Sequence, residues 1–290
     1  MKRLNQNNEL FTQLGKHPPN WWNKILSEKD VYFDIRKGNY IDIYFNGGNI
    51  VQGLKFKNNK YSGSINYKYL LSQKSEYIKF DFSQPKLQLD KESISLLSFE
   101  DFNNKSLKRI KDNIKNYYPA SSEKGIQAKF VNNSGYFIDT ELAYIYKNIN
   151  LRIDLVWIDV PNKKILFIEL KTIGDSRLYT DEIYDQLKKY YDFAKFFENE
   201  IIQYYQKVFK IKKTLKLLPE GLINMPTLEG FTLFKKPLLL FGDCEQKWIN
   251  HNAKHIDARI KKVAVGAYYF GRPDYNCDII TKSKRNRHIF

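Results

Sequence analysis

Two strongly apolar segments joined by a short polar turn constrain the fold of this chain more than any other feature. They span residues 151–158 (LRIDLVWI) and 164–171 (KILFIELK). The connection contains Pro161, a residue suited to the second position of a type I turn. Whether this turn has two residues or four, the numbers of paired residues add up to 323. The segments therefore predict an antiparallel hairpin in which Asp154 lies opposite Glu169.

Two carboxylates in this position require compensation. Like charges directly opposed on one face of an antiparallel pair are destabilising, and the apolar neighbours of both segments indicate central strands, where desolvation adds to the cost. A bound Mg²⁺, which takes oxygen ligands from one or two carboxylates, would remove the conflict. Lys171 shares a strand face with Glu169, so its amine is placed to hold or deprotonate a water or to stabilise charge on a phosphate. The alternative is an ordinary amphipathic hairpin with its polar residues turned outward.

The same residues resemble the active site of the PD-(D/E)XK nucleases. Asp154 is followed, after fourteen residues, by Glu169-Leu170-Lys171, although Ile153 stands where the family name has proline. The resemblance implies a mixed α/β fold with a restriction-endonuclease-like α-β-β-β-α-β core. It also implies a Mg²⁺ cofactor, with Mn²⁺ as a substitute, held by Asp154, Glu169 and the carbonyl of Leu170. Lys171 would position or activate the attacking water.

A second motif extends the resemblance to the RecB-like branch of that superfamily. Gln186 and Tyr190 are four residues apart in a predicted helix and so share one helix face. They are similar to the Q-x-x-x-Y motif that orients substrate or the catalytic lysine; the alternative is a solvated helix face. The family also implies an acidic residue from the preceding helix, for which Glu123 is the better candidate and Glu141 the alternative.

The pattern of apolar and turn-forming residues outside the hairpin predicts a domain boundary near residue 103. Short alternating segments separated by Asn-Gly and Lys-Asn turns predict a β-meander in residues 1–103, a module for targeting or for engaging the substrate. Its aromatic residues are expected to pack in the core, with base stacking as the alternative. The nuclease-like domain is expected over residues 104–290.

Within the second domain, periodicity predicts four helices and five strands. The predicted helices cover residues 106–118, a segment starting near 121–123, 180–210 and 244–262. The predicted strands cover residues 141–146, 151–158, 164–171, 237–241 and 263–270.

Charge favours a polyanionic partner. The net charge is +16 and the sequence pI is about 9.5, and +12 of that excess lies in residues 105–290. Clustered lysines bind phosphates by releasing counterions, so DNA is the expected partner. A lysine-rich solvated surface is the alternative. The basic run 282–288 is open to the same two interpretations, as a contact to a phosphate backbone or as a solvated end.

Several classes of protein are not expected. No apolar run approaches the ~20 residues of a membrane span, the N-terminal residues do not form a secretory signal, and two cysteines suit a reducing cytoplasm. No phosphate-binding glycine loop is present, which argues against nucleotide hydrolysis. A zinc site would have to combine two cysteines and two histidines at intervals that resemble no standard finger, so surface histidines are expected instead. These residues are Cys244, His251, His255 and Cys277.

The sequence thus predicts a Mg²⁺-dependent nuclease that hydrolyses phosphodiester bonds in DNA. By analogy, such a nuclease would serve in restriction, phage defence or a mobile element. The alternative is a non-catalytic nucleic-acid-binding or assembly protein that keeps the nuclease-like fold. The oligomeric state is left open, with a homodimer among the options.

Overall fold

The protein has a mixed α/β fold, as predicted, with two separate β-sheets. The computed structural model describes residues 4–70, 77–81, 104–146, 149–244 and 246–270. The chain forms two compact units, Met1–Ala120 with Lys210–Leu217, and Ser121–Phe209 with Leu218–Phe290. The expected boundary after residue 103 borders a stretch outside the described residues and stays a prediction.

The first unit contains an antiparallel sheet whose strands follow chain order, as expected of a meander. Its helices and strands are α1 (Glu9–Lys16), α2 (Asn20–Leu26), β1 (Val31–Arg36), β2 (Tyr40–Phe45), β3 (Gly48–Lys57), β4 (Lys60–Asn66), β5 (Tyr77–Asp81) and α3 (Asn104–Tyr117). Asn46 and Gly47 both have positive φ, 47° and 80°, and form the two-residue turn between the paired residues Phe45 and Gly48. This is the backbone conformation that makes Asn-Gly a hairpin signal.

The aromatic side chains of this unit pack inside it. Five of the aromatic residues for which base stacking was the alternative are buried: Tyr32, Phe33, Tyr44, Phe45 and Tyr69. The rings of Tyr32 and Tyr44 stack on each other at 5.3 Å. The prediction of core packing is confirmed for these residues.

The second unit is built on a sheet in the order β11-β10-β8-β7-β6, with the two-residue strand β9 also paired with β8. Strands β6, β7 and β8 are antiparallel, whereas β10 and β11 run parallel to β8. The helices and strands are α4 (Glu123–Asn133), β6 (Phe137–Tyr146), β7 (Ile149–Asp159), β8 (Lys164–Thr172), α5 (Glu182–Phe196), α6 (Glu198–Thr214), β9 (Thr232–Leu233), β10 (Leu238–Gly242), α7 (Gln246–Ile260) and β11 (Gly266–Phe270).

The prediction of one long helix over residues 180–210 is wrong. The segment forms two helices, α5 and α6, which meet at Phe197, where φ is −111° and ψ is 24°. The ring of Phe197 lies 5.4 Å from that of Phe193 and 6.2 Å from that of Tyr144. Phe197 thus leaves the helical conformation at a point where its ring joins an aromatic cluster, which helical periodicity does not reveal.

Strand β8 lies at the centre of the second unit, and its two faces differ. Leu166, Ile168 and Leu170 belong to a buried apolar cluster with residues of α4. Phe167, on the opposite face, stacks on Phe193 of α5 at 6.2 Å. Odd-numbered residues of β8 therefore face α5, which determines the surroundings of Glu169 and Lys171. None of the helices in the described residues is long and apolar enough to cross a membrane.

Candidate active site

Strands β7 and β8 pair in the predicted register. Leu155 lies opposite Ile168 and Asp159 opposite Lys164, so each pair of numbers adds up to 323. The turn has four residues and is closed by a hydrogen bond of 3.2 Å from the amide of Lys163 to the carbonyl of Val160. The register therefore places Asp154 and Glu169 in the next pair of positions.

The two strands separate at that next pair. Their ladder ends at Leu155 and Ile168, and β8 continues from Ile168 to Thr172 as the partner of β10. The backbone N–H of Leu170 donates to Oδ2 of Asp154 at 2.8 Å instead of to a strand carbonyl. The carboxylate of Asp154 is thus attached to β8 at the point where the strands part.

Glu169 is fully buried, and its carboxylate accepts hydrogen bonds from three side chains. Lys171 Nζ and Gln186 Nε2 donate to Oε1, the latter at 2.6 Å. The hydroxyl of Tyr190 donates to Oε2 at 2.6 Å and also contacts the carbonyl of Arg152. The structure thus brings the two residues of the Q-x-x-x-Y motif to the carboxylate of the E-x-K motif.

Lys171 is buried between acidic groups. Besides contacting Glu169, its Nζ lies 3.2 Å from the carbonyl of Leu170 and 3.9 Å from Oδ2 of Asp175. The hydroxyl of Tyr190 has a pKa well above its usual range, because it is buried and because the charges of Glu169 and Asp154 oppose its ionisation. Tyr190 therefore stays protonated and donates to Glu169.

The carboxyl group of Asp154 has a raised pKa. Burial raises the pKa of its carboxyl well above the usual value, and the nearby charge of Glu169 raises it further. The charge of Lys171 and the hydrogen bond from Leu170 act in the opposite direction but do not cancel these effects. Burial and the charge of Glu169 therefore favour the neutral form of Asp154.

Both acidic candidates from outside the hairpin interact electrostatically with residues of the site. Glu123, at the start of α4, has a pKa raised by burial and interacts electrostatically with Lys171 and Glu169. The charge of Glu141 raises the pKa of Asp154, and the carboxylate of Glu141 contacts Lys124 and Arg152. Glu141 is thus already paired with cations, whereas Glu123 faces the lysine of the site.

Glu141 has an unusual backbone. Its φ is 50°, although it is neither glycine nor asparagine and lies inside β6. The flanking pairs, Thr140 with Leu155 and Leu142 with Ile153, place it across from Asp154. Left-handed backbone in a strand is costly and is concentrated at functional sites.

The sequence analysis missed Gln127, a buried residue of α4. Its Nε2 donates to the carbonyl of Asp154 at 2.7 Å and to Oε1 of Glu141 at 2.8 Å. The carbonyl of Asp154 is thereby satisfied at the position where β7 and β8 no longer pair. A polar residue directly after Ile126, on the buried face of a predicted helix, was the available signal.

Asp175 and Arg177 were also missed. The guanidinium of Arg177 donates from Nε to Oδ1 of Asp175 at 2.9 Å and from Nη2 to Oδ2 at 2.5 Å. Burial alone would raise the pKa of Asp175, but the hydrogen bonds from Arg177 outweigh it and lower the pKa. The lowered pKa favours an ionised carboxylate at Asp175, 3.9 Å from Nζ of Lys171.

The oxygen donors at this place suit a hard divalent cation. Asp154 and Glu169 supply two carboxylates, and in the described part of the chain no donor is bonded to Oδ1 of Asp154. A cation would also offset the repulsion that raises the pKa of Asp154. In the described ranges, no three His, Cys, Asp or Glu side chains form a group that could hold a metal ion. The ligand set of Asp154, Glu169 and the carbonyl of Leu170 therefore stays a prediction.

The four residues weighed as a zinc site offer no such arrangement in the described part of the chain. His251 and His255 are exposed on α7, as expected of surface histidines, and Cys244 is a buried free thiol. Cys277 lies outside the described residues, as does the basic run 282–288.

Comparison with known proteins adds no relative. No family model, no curated protein and no solved structure matches this chain.

Proposed function

We propose that this protein is a Mg²⁺-dependent nuclease of the PD-(D/E)XK type that hydrolyses phosphodiester bonds in DNA. One observation carries the proposal: Asp154 and Glu169 interact electrostatically at the point where two strands part, with the amine of Lys171 on the carboxylate of Glu169. This is the combination of two acidic oxygen ligands and one amine that metal-dependent phosphodiester hydrolysis uses.

The order of elements around the site supports the finer assignment of fold. Helix α4, strands β6, β7 and β8, helix α5 and strand β10 follow one another in the order α-β-β-β-α-β, with α6 and β9 inserted before the last strand. The restriction-endonuclease-like core has this order. The contacts of Gln186 and Tyr190 with Glu169 support the RecB-like branch.

In this proposal Asp154, Glu169 and the carbonyl of Leu170 hold Mg²⁺, or Mn²⁺ in its place. The bound cation supplies positive charge next to the scissile phosphate. Gln186 and Tyr190 fix the orientation of Glu169, and the amide of Leu170 fixes that of Asp154. Lys171 holds the attacking water or stabilises charge on the phosphate as water adds to phosphorus, the P–O bond breaks and the leaving oxygen takes a proton.

The net charge of +16 supports a nucleic acid as the substrate. Lysines that neutralise backbone phosphates release bound counterions, and this release strengthens the binding of the protein to the nucleic acid. It does not distinguish cutting from binding. A non-catalytic nucleic-acid-binding or assembly protein with the same fold is therefore the alternative that the experiment must separate.

The test compares the wild type with Glu169→Ala, and with Glu182→Ala, an exposed glutamate of α5, as the control. With Mg²⁺ and double-stranded, single-stranded or branched DNA, we expect wild type and control to cut. Glu169→Ala should bind DNA equally well and cut at least ~100-fold more slowly. No cleavage of any of these DNAs or of RNA by the wild type, together with binding that weakens steeply with salt, would establish the non-catalytic alternative.

A further inference from the structure

Lysines from three Lys-Lys pairs line one cleft of the second unit. The sequence contains five Lys-Lys pairs, and three of them lie in separate segments at residues 163–164, 235–236 and 261–262. Lys164, Lys235, Lys236 and Lys261 line the same cleft. Segments about 70 and 100 residues apart in the chain are thus brought together by the parallel arrangement of β8, β9, β10 and β11.

An irregularity beside β8 forms one side of this cleft. Strand β9 pairs Leu233 with Ile165, and β10 pairs Leu238 with Ile168. The chain advances five residues from Leu233 to Leu238, whereas β8 advances only three from Ile165 to Ile168. The stretch between β9 and β10 therefore has two extra residues and bulges away from β8, and it contains Lys235 and Lys236. A bulge of this kind redirects side chains away from the ladder.

Positive charge in the cleft is poorly balanced. Its lining contains four lysines and one acidic residue, Glu198, which gives a net charge of +3. Glu198 lies 2.9 Å from Lys235, and Lys164 donates to the hydroxyl of Thr232 at 2.7 Å. In the described part of the chain, neither Lys236 nor Lys261 has a carboxylate within salt-bridge distance. The cleft therefore attracts anions and lacks the acidic groups that would neutralise it from within.

The cleft is a site separate from the candidate active site. Lys164 is the first residue of β8, and Lys171 lies seven residues further along it, ~23 Å away in an extended strand. The two positions also differ in parity, so their side chains leave opposite faces of β8. The cleft encloses about 760 Å³, more than a single ion requires.

We infer that this lysine cleft binds the phosphate backbone of DNA, at nucleotides outside those that reach the candidate active site. DNA carries a phosphate every 3.4 Å along each strand, so several lysines with few acidic partners can contact successive phosphates. The inference rests on the proposed function in taking DNA as the partner, but it does not require cleavage. Its test is therefore a binding measurement without metal.

The experiment measures binding of a 30-base-pair duplex in EDTA over a range of salt concentrations. The test variant is Lys235→Ala/Lys236→Ala/Lys261→Ala. The control carries the same charge change on α5 and α6, Lys189→Ala/Lys195→Ala/Lys207→Ala. Each phosphate contact adds about 0.9 to the slope of log K against log salt, so we expect the slope to fall by about 2 to 3 and affinity at 0.1 M salt by about 10-fold or more in the test variant only. Equal losses in both variants, or none in the test variant, would overturn the inference.

A second variant changes binding in the opposite direction, which misfolding does not do. Glu198→Gln removes the one carboxylate of the cleft, and we expect DNA to bind about 2- to 5-fold more tightly. Unchanged or weaker binding by a folded Glu198→Gln protein would contradict the inference. A wild type that binds through the cleft but does not cut would overturn the nuclease proposal alone.

Discussion

The backbone N–H of Leu170 donates a hydrogen bond to Oδ2 of Asp154 across 2.8 Å, one residue beyond the last paired position of β7. The carboxylate of Asp154 thereby takes the place of a strand carbonyl as the acceptor for this N–H. The bond holds Asp154 close to Glu169 although the charge of Glu169 raises the pKa of Asp154. The site is therefore built by local backbone geometry at a cost in electrostatic free energy that a cation would offset.

Asp154→Asn should stabilise the metal-free protein in a pH-dependent way. Because the pKa of Asp154 is raised in the folded state, the folded protein binds more protons than the unfolded chain, and the stability contributed at this residue falls as pH rises above about 4. Asparagine carries no charge, so its advantage should be smallest near pH 4 and reach an order of 1 kcal/mol at pH 7. Urea unfolding of both proteins in EDTA at several pH values measures this difference.

Asp185→Asn, at an exposed position of α5, serves as the control and should be neutral. A gain for Asp154→Asn that is constant or shrinks between pH 4 and pH 7 would contradict the electrostatic interpretation.

Tyr190→Phe should destabilise the protein and slow cleavage, whereas Tyr191→Phe should do neither. The hydroxyl of Tyr190 donates to buried Glu169 and contacts the carbonyl of Arg152, so its removal leaves buried acceptors without a donor, at about 1–3 kcal/mol. Tyr191 is the next residue, only partly buried. Thermal unfolding and initial cleavage rates of the two variants provide the comparison. Equal effects of both would mean that the hydroxyl of Tyr190 has no specific role.

Lys171→Met should make stability depend on a divalent cation. Removal of the amine leaves the buried carboxylate of Glu169 without its counter-charge, and breaking a buried ion pair in this way costs about 3–5 kcal/mol. Mg²⁺ should then raise the melting temperature of the variant more than that of the wild type. Lys188→Met, which breaks an exposed pair with Asp192 on α5, is the control and should leave the melting temperature nearly unchanged, with or without Mg²⁺. A Lys171→Met protein indifferent to Mg²⁺ would contradict this prediction.

Gln127→Leu should weaken cation binding through Asp154 without touching the cation. The change removes the side-chain donor to the carbonyl of Asp154 and one of the donors to Glu141, which keeps its contacts with Lys124 and Arg152. We expect a loss of about 1–3 kcal/mol in stability and about 10-fold in Mg²⁺ affinity, the range seen when the groups that orient metal ligands are lost. Calorimetric titration with Mg²⁺ measures the second effect, and Gln203→Leu, on the exposed surface of α6, is the control. Unaltered Mg²⁺ affinity would show that Gln127 has a structural role only.

The register of the hairpin could be predicted because it depends on a few local rules. A turn centred on Pro161 and Asn162 sets the pairing whether it has two residues or four, and alternation then places Glu169 and Lys171 on one face. The same rules predicted the Asn46-Gly47 hairpin of the first unit.

The rest of the site depends on contacts that no local pattern records. The contacts of Gln127 with Asp154 and Glu141 join α4 to two strands, and the positive φ of Glu141 accompanies them without any sequence signal. The break at Phe197 lies where its ring joins an aromatic cluster with Tyr144 of β6. The apolar periodicity of the sequence continues through this residue, so the pattern alone predicts one helix. Long-range packing decided each of these features.

The most direct test of a metal site at Asp154 and Glu169 is the anomalous diffraction of a crystal soaked in Mn²⁺. We expect a peak within ~2.5 Å of a carboxylate oxygen of Asp154 and of one of Glu169, near the carbonyl of Leu170. A peak held by other residues, or no peak at saturating Mn²⁺, would contradict the claim that these two carboxylates form a metal site.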